Sequence, residues 1–172
     1  TWVTKHWPEV YWKQLAGLLA GSGWNLMLPW GNEQEKLRAE RLAQGIERAH
    51  VLPRLTLAGM GAVLAGASGY VGVDTGLGHL AAALDVPGIS LFGPTNPGYT
   101  GAYGLGQYHM ASDYPSCAPC LQKHCTYKPT AQDKADFDPE EIWPLCFARI
   151  TPGRVAEQLE NVLQMDLPRT NL

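Results

Sequence analysis

Tyr70 to Leu84 reads YVGVDTGLGHLAAAL, and the reading of this stretch decides the fold. An apolar, β-prone run from Tyr70 to Val73 ends at Asp74, and a turn of small residues then opens an Ala- and Leu-rich helix at Gly76. At such a junction the backbone N–H groups of Thr75, Gly76 and Leu77 have no intrahelical partner. Gly76 and Gly78 carry no side-chain bulk, so a diphosphate can approach those donors closely and gain from the helix dipole. The Thr75 hydroxyl can cap the helix or meet a phosphate oxygen. His79 lies one turn beyond Thr75 on the same face, within reach of the same anion. Asp74, at the strand tip, is placed to accept from sugar hydroxyls. Taken alone, Asp-Thr-Gly reads equally well as an ordinary capped helix start, with His79 packed on the sheet.

Working outward, the same alternation continues on both sides. Toward the N-terminus, Pro8 opens an amphipathic helix that turns Tyr11, Leu15, Leu18 and Leu19 to one side and exits at Gly21 and Gly23. A short strand is expected from Trp24 to Leu28, then a helix from Glu33 to Gln44 with Leu37 and Leu42 inward and Gly45 at its end. His50 to Leu52 reads as another short strand, and Thr56 caps a helix through Ala65. Beyond the central stretch, Pro87 and Gly88 introduce a buried strand from Ile89 to Phe92. An irregular segment rich in Pro and Cys is expected from about 93 to 138, followed by a short helix at Asp138 to Glu141 that Pro144 interrupts. Thr151 and Pro152 start a last helix through about Gln164, and Leu167 to Leu172 reads as a frayed tail.

Strands alternating with helices of about ten residues imply right-handed crossovers. The expected fold is α/β, a Rossmann-like parallel sheet with helices on both faces and ligands at the carboxyl ends of the strands. A length of 172 residues, 45% of them hydrophobic and 17% charged, suits one compact domain spanning 1–172. The net charge of -3 offers no footprint for a general nucleic-acid binder. No apolar run approaches the ~20 residues needed to cross a bilayer, and no signal peptide is evident, so the reading is cytoplasmic. The opening Thr1-Trp2-Val3 looks like the end of an earlier element, as in a fragment of a longer protein.

Five segments, taken in order, carry a resemblance: KHWPEVYW from Lys5, LPWGNEQEK from Leu28, VLPRLTL from Val51, VDTGLGHLAAAL from Val73 and GPTNPGYTGAYG from Gly93. Their order and spacing resemble the lipopolysaccharide heptosyltransferases, nearer the type I than the type II enzymes, over roughly Thr1 to Gln107. The resemblance implies the C-terminal, donor-binding half of a two-domain GT-B glycosyltransferase. It also implies the reaction: ADP-heptose gives L-glycero-D-manno-heptose, with inversion, to a Kdo sugar of the lipid A precursor. The catalytic base and most of the Kdo-lipid A site are then expected in an N-terminal domain, with peripheral contact at the inner face of the bacterial inner membrane. No cofactor is implied, and these residues alone are expected to be inactive.

Residue by residue, the resemblance places Thr1 and Lys5 against the donor, where the Lys5 cation would neutralise the departing diphosphate. It places Glu35 at the ribose hydroxyls, Leu55 beside the adenine with backbone groups of 52–55 reading the base, and Asp74, Thr75, Gly76, Leu77 and His79 around the diphosphate and sugar. Asn96, Tyr99 and Tyr103 border the sugar pocket or face the other domain. Without the resemblance, Lys5 and Glu35 would be ordinary surface charges. Two other readings remain: a GT-B donor domain for a different nucleotide sugar, and a non-catalytic nucleotide-binding module.

Cys117, Cys120 and Cys125 have a C-x2-C-x4-C spacing that resembles metal ligation, with His124 and Cys146 as further candidates. A zinc ribbon normally shows two tight pairs, and Cys146 sits on a Pro-interrupted apolar run. Reduced, metal-free thiols are therefore expected.

Overall fold

The computed structural model describes residues 2–165, so Thr1 and the tail expected at 167–172 lie outside the described residues. Among the described residues five strands and seven helices alternate. They are α1 (Glu9–Gly21), β1 (Leu26–Leu28), α2 (Glu33–Ala43), β2 (Ala49–Val51), α3 (Leu57–Ala65), β3 (Tyr70–Val73) and α4 (Gly76–Ala83). Then come β4 (Gly88–Phe92), α5 (Pro97–Thr100), β5 (Gln107–Ala111), α6 (Ala131–Asp136) and α7 (Pro152–Gln164).

All strand pairs are parallel, but they form two hydrogen-bonded sheets: β1 with β2, and β3-β4-β5 in that order. Among the described residues no strand bridges β1 and β3. Leu26 of β1 nevertheless packs against the same core cluster as Val71 and Val73 of β3. That core lies between the sheet and helices α1 and α7, with Trp7, Ile89, Leu91, Phe147 and Val155 almost wholly enclosed. The opposite face of β3 presents Tyr70 to a smaller cluster built from α3 and α4, including Met60, Leu64 and Ala81. Helices thus cover both faces, as a parallel sheet requires.

Local signals set most boundaries. Asn32 accepts from the Glu35 N–H at 3.0 Å to start α2, and Thr56 accepts from the Gly59 N–H at 3.1 Å to start α3. Gly45, at φ +79°, follows α2 in a conformation that strains other residues. Two inward assignments fail: Leu18 is 47% and Leu37 49% exposed. Tyr11, Leu15 and Leu19 form the buried stripe of α1, and Ala39 with Leu42 that of α2, because each helix docks on a narrower face than its composition suggests.

The segment at 93–138 is less irregular than expected. It contains α5, α6 and the edge strand β5, which pairs with β4 along its whole length. The sequence QYHMA is a short run with a single buried residue, Met110, and an exposed Tyr108, so its pairing along the edge of β4 rather than a buried apolar face marks it as a strand. In place of the helix expected at Asp138 to Glu141 there is a single turn, closed by the Ile142 N–H donating to Asp138 O at 2.7 Å. A short 3₁₀ turn at Leu145–Phe147 then puts Phe147 into the core.

Candidate functional site

Three of the expected ligand-facing segments follow the carboxyl end of a strand, Glu35 in α2 after β1, Leu55 after β2, and Asp74 to Leu77 after β3, whereas Lys5 ends a 3₁₀ turn, Val3–Lys5, that precedes every strand. At the tip of β3, Lys5 and Asp74, separate readings in the sequence, form one unit. Lys5 Nζ donates to Asp74 Oδ2 at 2.7 Å, with side-chain exposures of only 16% and 6%. The ammonium also lies 4.8 Å from the centroid of the Trp2 ring. Asp74 is therefore buried and ion-paired, whereas a sugar-binding carboxylate read from sequence alone would stand free.

Next to this pair α4 begins. Thr75 is its N-cap residue, with extended backbone, but its side chain makes no capping hydrogen bond. The N–H groups of Gly76 and Leu77 occupy the first two helical positions, where no intrahelical acceptor exists. Gly76 is open to solvent, and a methyl added there would meet nothing within 4 Å. His79 is exposed on α4, so the alternative in which it packs on the sheet is not what the structure contains.

At the end of β1, Glu35 is half-buried and Oε2 accepts from the Gly31 N–H at 2.7 Å. Half of the carboxylate is thus committed to its own loop, leaving the other oxygen for a ligand. Trp30, which the sequence reading passed over, donates from Nε1 to Leu52 O at 2.6 Å and ties the turn after β1 to the one after β2. That carbonyl is already engaged within the segment expected to read a base. Leu55 packs on the α3 and α4 cluster, half-buried. Asn96 caps α5 through the Gly98 N–H at 2.8 Å, and Tyr99 and Tyr103 are 79% and 90% exposed, so neither closes a pocket here.

A cavity of about 420 Å³ lies elsewhere, lined by His6, Arg38, Lys123 and Glu140 among others, and includes no residue from the strand ends. Its mixed charges do not converge on one ligand group. The uncapped helix start beside a fixed cation does, and the strand ends are the stronger candidate.

All four cysteines are free thiols, and among the described residues no group of three or more metal-capable side chains is gathered to hold an ion. Burial, then the neighbouring Cys120, Cys125 and Cys117, push the Cys146 thiol up to about 12. At pH 8 only about one Cys146 in ten thousand is then thiolate, the form that reacts. Iodoacetamide at that pH should leave Cys146 unmodified in the folded protein and label it after denaturation, as mass spectrometry would read. Rapid native labelling would mean that its packing is looser than the structure shows.

The family model described as glycosyltransferase family 9 (heptosyltransferase) matches residues 1–131. Lipopolysaccharide heptosyltransferase 1 of Pseudomonas aeruginosa is 64% identical over 163 residues, 95% of this chain and 46% of that protein. The likeness therefore runs well past Gln107. The structure of Escherichia coli heptosyltransferase WaaC with ADP is 53% identical over 62% of this chain and 33% of its own, at a TM-score of 0.61. A family 9 glycosyl transferase from Veillonella parvula shares the fold at a TM-score of 0.69 and 18% identity, covering 94% of this chain and 42% of its own. This chain thus spans less than half the length of each of these relatives. No helix among the described residues is long and apolar enough to cross a membrane.

Proposed function

The chain belongs to glycosyltransferase family 9, the heptosyltransferases, and from that membership we propose that it binds ADP-heptose at the carboxyl ends of its strands. In this reading it is the donor half of an inverting enzyme that transfers L-glycero-D-manno-heptose to Kdo of the lipopolysaccharide inner core. The observation that carries the reading is the Lys5–Asp74 ion pair standing beside the uncapped start of α4.

Departure of ADP leaves negative charge on the diphosphate, and stabilising that charge is the main task of the site. The N–H groups of Gly76 and Leu77 donate to it from the positive end of the helix. Lys5, held at the strand tip, supplies a full charge in a partly dehydrated setting where it is weakly screened. Asp74 fixes that ammonium and offers its remaining oxygen to the sugar, while His79 approaches the same anion from the solvent side. Glu35 takes the ribose hydroxyls with its free oxygen, and Leu55 supplies apolar surface for adenine. Thr1 adds a donor contact in this proposal. The base and most of the Kdo-lipid A site belong to the remainder of an enzyme of the relatives' length, with any contact at the cytoplasmic face of the inner membrane. The presence of ADP in the E. coli structure supports the nucleotide assignment.

Calorimetric titration with ADP, ADP-heptose and other nucleoside diphosphate sugars tests this directly. Glu35→Ala should weaken ADP and ADP-heptose alike by about 1–3 kcal/mol, the worth of a charged hydrogen-bonding contact. Glu35→Gln, which keeps an acceptor for Gly31, controls for loosening of the loop. Unchanged ADP affinity in Glu35→Ala would remove the ribose assignment, and preference for another nucleotide would favour a donor domain of different specificity.

A further inference from the structure

Two cations share the ring of Trp2. Its centroid lies 4.8 Å from Lys5 Nζ and 5.5 Å from Lys123 Nζ. The two ammonium groups are therefore at most about 10 Å apart, close to the distance over which salt screens exposed charges. Lys123 belongs to the connection between β5 and α6, and that connection is fastened as it passes the strand ends. The buried Thr4 donates from its hydroxyl to Gln122 O at 2.7 Å, and the Leu121 N–H donates to Pro94 O, in the loop after β4, at 2.8 Å. Between these ties Leu121 sits at φ +56°, a left-handed conformation that a leucine enters only at a cost in free energy. Its side chain is 51% exposed, so burial does not draw it there. What the turn achieves is to bring Lys123 onto the segment that carries Lys5.

The two lysines differ in what they bring to an anion. Lys5 is bound to Asp74 at 2.7 Å, so it meets a ligand as one member of a pair without net charge. Lys123 is exposed, and among the described residues no carboxylate lies within 4.0 Å of its Nζ. Glu140 and Glu141 line the same cavity as Lys123, yet neither forms an ion pair with it.

We propose that Lys123 supplies the uncompensated positive charge for the donor diphosphate, kept beside the Lys5–Asp74 pair by the Trp2 ring. This deepens the donor-site reading above and rests on it. ADP departs as a multiply charged anion, and the first-turn N–H groups of α4 offer it only partial charges. A neutral pair orients that anion but does not balance its charge. An ammonium within about a Debye length does, and the effect is electrostatic rather than a matter of shape. The flexible stem of Lys123 can follow the ligand, while the face of Trp2 keeps the cation close before one arrives.

The test is calorimetric titration of Lys123→Gln, Lys123→Glu and Lys123→Arg with ADP and with adenosine, at about 20 mM and about 500 mM salt. Circular dichroism confirms that each variant is folded. At low salt Lys123→Gln should lower ADP affinity about fivefold and Lys123→Glu about 25-fold, because reversal changes the charge by twice as much. At high salt both losses should shrink to about twofold or less. Lys123→Arg should stay within about twofold of the wild type, since it keeps the charge and the ring contact. Adenosine should bind all four proteins alike. Wild-type ADP affinity in Lys123→Glu at low salt, equal losses for ADP and adenosine, or losses undiminished at high salt would each overturn this inference alone. Failure of the folded wild-type protein to bind ADP would overturn the donor-site reading and this inference together.

Discussion

Lys5→Ala is expected to cost both stability and donor affinity, and more of each than any other single change at the strand ends. The substitution leaves the Asp74 carboxylate, 7% exposed, without its cation. Removing one partner of a buried pair typically destabilises by about 3–5 kcal/mol, and the partial exposure of Lys5 puts the expectation at about 3 kcal/mol. The ligand loses a cation and also faces an unneutralised carboxylate. A loss of about 3 kcal/mol, the upper range for a charged contact, lowers ADP affinity by roughly 100-fold. The sign differs for Asp74→Asn, which removes negative charge beside the anion and leaves Lys5 in place. ADP affinity should hold or rise there, whereas ADP-heptose affinity should fall if the carboxylate serves the sugar. The double variant should recover much of the stability lost in Lys5→Ala, because no uncompensated charge remains buried. Urea unfolding and titration with both ligands give the complete cycle. A Lys5→Ala protein as stable as the wild type would reduce the pair to an ordinary surface bridge.

Trp7→Ala should cost about 3–5 kcal/mol of unfolding free energy, as for other buried aromatics cut back to a methyl. Trp7 is 2% exposed and meets Tyr11 and Trp12 edge-to-face at centroid distances of 5.5 and 4.9 Å. Its Nε1 donates to Ile150 O at 2.9 Å, so truncation also strands a buried carbonyl. The consequence reaches the ligand site, because Trp7 anchors the segment that carries Lys5 two residues earlier. Trp7→Phe, which fills much of the space but drops the N–H, should lose clearly less. Denaturant midpoints for the two variants decide the matter, and equal small losses in both would show that the neighbouring rings close over the gap.

How much of this was legible depends on the range of the interaction involved. Strand β3 and helix α4 are encoded by contiguous residues, since a run of β-prone residues, a small-residue turn and an Ala-rich helix are each local choices. The cap at Thr56 is local too, closing on an N–H three residues away. Strand β5 was missed because its pairing partner, not its composition, makes it a strand. Leu18 and Leu37 were placed inside because periodicity states which residues share a helix face but not how wide a face the neighbours cover. The Thr75 hydroxyl is equally compatible with a cap and with a ligand in the sequence, and only the folded structure shows that it makes no capping hydrogen bond.

What the sequence determined by itself was the α/β alternation, the glycine-lined turn at Asp74 to Gly78, and, through the five spaced segments, the kinship with heptosyltransferases. Tertiary structure alone decided that Lys5 and Asp74, 69 residues apart, share one ion pair. It also decided that Trp7 fastens the Lys5 segment to a carbonyl 143 residues further along the chain. The physical reason is the same in each case. Turns and helix starts are fixed by the dihedral and capping preferences of adjacent residues, whereas the partner of a buried charge or hydroxyl depends on which distant element packing brings within about 3 Å.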